Sequence, residues 1–169
     1  MTIVEINTVL DPAAKLAVMV KETLRALPPR PSDEVRMKHR WYQCIVQNAT
    51  QFEIRFDDSY FNAGKYLAAP QSIGPYGQMT QDEGHRFYFA IGLDAPAMGG
   101  FKAGVVESDS AKTGLEIVSR EGNSITSTDQ FRGKDNDEDG QVIQFHLVAY
   151  PGRDMKVIIT QRIVDRDDE

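Results

Sequence analysis

A chain of 169 residues, 41% of them apolar, has the length of one folded domain with a sizeable core. A net charge of −6 and a pI near 5.1 exclude a general attraction for nucleic acid, because phosphate binding relies on clustered Lys and Arg. The single cysteine, Cys44, excludes an intrachain disulfide, and no apolar run approaches the roughly 18 residues of a membrane-spanning helix.

The opening Thr2-Ile3-Val4-Glu5 is too short and lacks the basic start of a secretory leader, so a cytoplasmic address is expected. The sequon Asn48-Ala49-Thr50 is then a chance match, since glycosylation needs secretion. Charge is unevenly spread. Residues 1–40 carry seven Lys/Arg against five Asp/Glu, and the remainder twelve against twenty.

Residues 12–27 read as a helix. Asp11 is a good N-cap, and Pro12 suits the first helical position. Ala13, Leu16, Ala17, Val20, Leu24 and Leu27 recur at helical spacing, while Lys15, Lys21, Glu22 and Arg25 lie off that stripe. A stripe of this kind packs on the rest of the domain or on a partner subunit. With three basic residues against one acidic it also suits an anionic membrane surface, although it lacks Trp and Phe. Pro28-Pro29-Arg30-Pro31 ends the helix, because proline cannot donate the next bond, and residues 32–40 form a charged linker.

From Trp41 onward the apolar period changes from 3.6 to 2. Phe52, Ile54 and Phe56 alternate with Gln51, Glu53 and Arg55, which predicts a half-buried strand. Tyr42, Cys44 and Val46 precede it in the same style, so Cys44 is expected as a buried core residue and not a nucleophile. Further strands are predicted at Arg86 to Leu93, at Phe101 to Val105, at Leu115 to Ile117, at Gln141 to Tyr150 and at Met155 to Ile163. Turn signals such as Gly99-Gly100, Gly122-Asn123, Asp139-Gly140 and Pro151-Gly152 separate them. The expected fold is mainly β: an antiparallel two-sheet β-sandwich with an N-terminal α-helix, since successive connections are too short for parallel crossovers. The organisation expected is a helix and Pro-rich connector over 1–40, a sandwich over 41–164 and an acidic tail over 165–169.

Two groups of residues point to binding. Asp135, Asp137 and Asp139, followed by Gly140, match the first half of a calcium loop, in which alternate carboxylates converge on one cation; a solvated acidic hairpin turn gives the same pattern. His146 stands where the second half requires a bidentate Glu, so this is not an EF-hand, and Ca2+ is the one cofactor the sequence suggests. The second group is aromatic. Trp41, Tyr60, Tyr66 and Tyr76 sit near turns, where a ring offers an apolar face and a polar edge to a lipid headgroup or a sugar, although Trp41 and Phe61 also suit a core and the tyrosines its rim. Catalytic signals are poor. His39, His85 and His146 are far apart, and no G-x-S-x-G, phosphate-binding loop or dinucleotide fingerprint occurs. The expectation is a non-enzymatic module.

Four phrases occur in order: Asp57-Asp58-Ser59-Tyr60-Phe61-Asn62-Ala63-Gly64; Ser72-Ile73-Gly74-Pro75; Phe87-Tyr88-Phe89-Ala90-Ile91-Gly92-Leu93; and Gly100-Phe101-Lys102-Ala103-Gly104-Val105-Val106-Glu107-Ser108-Asp109-Ser110-Ala111-Lys112. Over roughly residues 41–163 the chain resembles the Up-regulated in Daf domain family, small proteins similar to aegerolysins. The resemblance implies a two-sheet, aegerolysin-like sandwich. It also implies self-association or a protein partner, and, as the second possibility, membrane-lipid binding or pore formation of the cytolysin type. It carries no catalytic motif. The N-terminal helix and Pro-rich connector look additional to the family core.

Overall fold

A computed structural model describes residues 2–5, 13–27, 30–38, 41–66, 69–74, 86–132 and 142–164. In chain order the elements are β1 (Thr2–Glu5), α1 (Ala13–Arg25), α2 (Asp33–Arg36), β2 (Gln43–Ala49), β3 (Ile54–Phe56), β4 (Arg86–Asp94), β5 (Lys102–Glu107), α3 (Ala111–Glu116), β6 (Asn123–Thr126), β7 (Phe131–Arg132), β8 (Val142–Tyr150) and β9 (Asp154–Val164). The protein is mainly β, in two sheets. One has the strand order β3-β1-β4-β5. The other runs β2-β9-β8-β6, with the short β7 also paired to β8.

The core lies between the sheets because alternate residues of each strand are apolar. Phe87 and Phe89 of β4 and Ala103 and Val105 of β5 meet Ile143, Phe145 and Leu147 of β8 and Met155, Val157 and Ile159 of β9. Phe145 is the hub. It stacks on Phe87 across the sheets at 5.1 Å between ring centres, and it meets Phe52 edge-on at 5.7 Å and Phe131 at 5.4 Å.

Several elements differ from the sequence expectation. The sandwich is not wholly antiparallel: β2 lies parallel to β9, Gln43 beside Asp154 through Ala49 beside Thr160. Short connections exclude parallel pairing only between neighbours in sequence, and these two strands are separated by the rest of the domain. Thr2–Glu5 forms β1, antiparallel to both β3 and β4 and therefore central to its sheet. The predicted strand at Leu115 to Ile117 is the end and C-cap of helix α3, which follows Ser110 as N-cap residue. It packs on β4 and β5 through glycines. Gly92 and Gly104 are neighbours in register, and Gly114 of the helix lies against the Gly92 backbone.

Cys44 is exposed, contrary to expectation. Its thiol is nevertheless pushed up to about 12 by burial. A thiol so raised is a poor nucleophile at neutral pH.

The helix predicted over 12–27 is observed as α1, with Asp11 and Pro12 outside the described residues. It packs on β2, with Leu16 buried and Gln47 Nε2 donating to Thr23 O at 3.1 Å. The seating is rotated from the apolar stripe. Met19, Thr23 and Val20 are half-buried beside Leu16, whereas Ala13, Ala17 and Leu24 remain exposed. In the linker, α2 is capped by Ser32, whose Oγ accepts from Val35 N at 3.4 Å.

The chain crosses from β2 to β3 through a buried polar turn. Asn48 Nδ2 donates to Phe52 O at 2.7 Å, and Asn48 Oδ1 accepts from Thr50 N at 3.1 Å and Thr50 Oγ1 at 2.7 Å. Gln161 Oε1 accepts from Gln51 N at 2.9 Å, and its amide donates back to Gln51 Oε1 at 3.0 Å. The sequon asparagine is thus buried and fully engaged. Asn48→Ala leaves the buried Thr50 N–H without its acceptor and the Phe52 carbonyl with only Thr50 Oγ1 at 3.3 Å, and is expected to cost about 1–3 kcal/mol in chemical denaturation. A loss below about 0.5 kcal/mol would show that the turn holds without it.

Candidate functional site

Strand direction gathers several loops at one end of the sandwich. β4 ends at Asp94 where β5 begins at Lys102, and β3 runs toward that same end before the segment 57–66. β2 reaches β3 through the four residues 50–53, so its start, with Trp41 and Tyr42 before it, also lies there. So does the turn between β8 and β9, because Gln43 pairs with Asp154 and its N–H donates to Arg153 O at 3.0 Å.

This end is unusually apolar on its surface. Tyr60 is 48% exposed, Phe61 41%, Tyr66 41%, Met98 88% and Tyr150 49%. The other large exposed apolar side chains among the described residues, Val18, Leu24, Leu27 and Met37, belong to α1 and the connector after it. Phe61 and Tyr66 meet edge-to-face with ring centres 4.6 Å apart, an arrangement in which a positive ring edge lies on a negative ring face. The Arg153 guanidinium lies over the Trp41 ring, 5.2 Å from its centre, a contact worth about 0.5–1 kcal/mol at an exposed site.

The polar groups here are sparse and placed between the rings. Lys102 Nζ pairs with Asp94 Oδ2 at 3.1 Å, both side chains about two-thirds buried. The Tyr42 hydroxyl is held above its ordinary pKa, first by burial and then by the Cys44, Tyr66 and Asp94 charges around it. The surface thus offers ring faces, an exposed edge-to-face aromatic pair and a Lys102–Asp94 ion pair.

Of the four aromatic residues singled out from sequence, the fold brings Trp41, Tyr60 and Tyr66 to this end; Tyr76 lies outside the described residues. Phe61 is exposed, and neither it nor Trp41 belongs to the core. Tyr42, Met98, Tyr150 and Arg153 were not legible as members, because only strand order brings them to the same end of the sandwich as Trp41. The proximity of Arg153 to the Pro151-Gly152 turn was the one available signal. Asp135, Asp137 and Asp139 lie outside the described residues, as do His39 and His85. Among the described residues no group of three or more His, Cys, Asp and Glu is arranged to hold a metal ion. His146 is on β8, with Nδ1 3.0 Å from Thr126 Oγ1; burial first and then the Arg162 charge lower its pKa. No helix among the described residues is long and apolar enough to cross a membrane.

Comparison with protein-family models, with curated proteins and with solved structures returns no match.

Proposed function

We propose that the chain is a non-enzymatic binding module of aegerolysin-like sandwich architecture that engages a protein partner through the aromatic end. The observation carrying this reading is that Tyr60, Phe61, Tyr66, Met98 and Tyr150 are exposed at the end of the sandwich that also holds Trp41 and Arg153. Aromatic residues, Met and Arg are the types enriched in the buried centres of protein interfaces. Rigid rings gain contact area at small entropic cost, and the charged groups nearest to them, Asp94 and Lys102, already neutralise each other.

Membrane-lipid binding is the second reading, favoured by the same tyrosines and tryptophan, whose rings also suit the boundary between headgroups and acyl chains. A triple variant, Tyr60→Ser with Phe61→Ser and Tyr66→Ser, separates the possibilities. All three side chains are exposed, so the fold should persist. Quantitative affinity capture with the wild-type chain is expected to enrich proteins that the variant loses at least tenfold. Flotation with phosphatidylcholine, phosphatidylserine and sphingomyelin–sterol vesicles is expected to show no dependence on these residues. Equal capture by both chains counts against the aromatic end, and flotation lost in the variant favours the lipid reading instead.

A further inference from the structure

The helices α1 and α3 are seated on the sheets in different ways. α3 is pressed onto β4 so closely that a Cβ on Gly92 would strike the Gly114 carbonyl. α1 is held more loosely. Leu16 is the one buried residue of that helix, with Met19, Val20 and Thr23 half-buried beside it. Of the three leucines in its apolar stripe, Leu24 stays 41% exposed and Leu27 91%.

The seat of α1 also holds a mismatch. Val46 packs toward the core, so its neighbours Ile45 and Gln47 turn to the outer face of β2, the face on which α1 lies. Gln47 is only 9% exposed there. Its Nε2 donates to Thr23 O at 3.1 Å, but its Oε1 is buried and has no hydrogen-bond partner. Leaving an amide oxygen buried and unpaired costs about as much as burying one leucine gains, so the two oppose each other at similar size. Lifting the helix returns Gln47 Oε1 to water and strands nothing at Thr23, whose carbonyl keeps the bond from Ala26 N at 3.2 Å.

We propose that α1 is a releasable strap: it lifts from β2 while both sheets stay folded, and in lifting it uncovers Ile45 and Gln47. The chain is anchored on either side of it, since β1 pairs within one sheet and β2 within the other, so the helix opens as a held loop and not as a free arm. Only a local equilibrium is needed, of the kind that opens one element far more often than the whole domain unfolds. The inference stands apart from the aromatic end and does not rest on that reading.

Native-state hydrogen exchange of the full chain, read by mass spectrometry, tests the strap. A helix of 13 residues is marginal in water once off the sheet, so its amides exchange when it lifts. Amides of α1 are expected to exchange at least about a hundredfold faster than those of β8 and β9. Gln47→Met removes the unmatched oxygen and keeps an apolar side chain of similar length. It should slow exchange in α1 at least about threefold and leave β8 and β9 unchanged. Leu16→Ala should act in the opposite sense, quickening exchange in α1 alone by at least about tenfold. Wild-type α1 exchanging as slowly as β8 and β9 overturns the proposal, because the helix would then open only with the whole domain. So does a Gln47→Met chain whose α1 exchanges as in wild type, or a Leu16→Ala chain in which β8 and β9 quicken as much as α1.

Discussion

Gly92→Ala is expected to destabilise the protein by at least ~3 kcal/mol, at the upper end of what overpacking costs. At this chain length that lowers the melting temperature by roughly 6–12 °C. A Cβ on Gly92 would run into the Gly114 carbonyl oxygen and would lie 2.6 Å from Val118 Cγ1. The first of these is backbone within a helix and cannot swing aside as a flexible side chain does. The contact is also tight from the other direction, though less so, since a Cβ on Gly114 would lie 2.9 Å from the Ile91 carbonyl carbon. The helix therefore sits on the sheet at a distance that only glycine permits. Gly100→Ala is the control: nothing lies within 4 Å of its Cβ position, and its melt should match wild type within about 0.5 kcal/mol. Equal melts for Gly92→Ala and Gly100→Ala would mean that α3 is not seated on β4.

Phe145→Ala should cost about 3–5 kcal/mol, the range for removing a fully buried aromatic side chain. Phe145 touches rings from both sheets and from the crossing between them, so its loss opens a cavity that no single neighbour can fill. The same substitution on the same strand at Tyr150, which is exposed, is expected to change stability by no more than about 0.5 kcal/mol. Urea denaturation of the two variants gives the comparison directly. Similar midpoints would place the core elsewhere than between β4 and β8.

Much of the sandwich was legible because burial imposes a two-residue period. Phe87, Phe89, Ile143, Phe145, Leu147, Val157 and Ile159 read as one-sided strands and are buried as such. The parts that failed to read are those where tertiary pairing overrides local pattern. Four residues, Thr2–Glu5, are too few to show a period, and only pairing with β3 and β4 makes them a strand. Leu115 and Ile117 alternate like a strand, yet three small residues, Gly92, Gly104 and Gly114, allow a helix to approach there. Gln51 has the polarity of an outward residue but is buried in the turn after β2, because Gln161 of β9 satisfies it.

The aromatic end was half visible. Residue type marked Trp41, Tyr60 and Tyr66 as candidates, although Trp41 suited a core and the tyrosines its rim equally well. Nothing in their spacing could bring Arg153, about one hundred positions later, onto the face of Trp41; that follows from the parallel register of β2 with β9. The helix stripe illustrates a different limit. Periodicity identified α1 and its apolar residues, but the seating is rotated, so the residues turned to the sheet are only partly those of the stripe.

Trp41 is the only tryptophan in the chain and stands within the proposed binding surface, so it reports on binding without a label. Its emission, followed as a captured partner is titrated onto the wild-type chain and the Tyr60, Phe61 and Tyr66 triple variant, addresses the binding claim most directly. A saturable shift with the wild-type chain that disappears in the variant is the predicted result. A partner that binds both chains equally, with Trp41 emission unmoved, would contradict it.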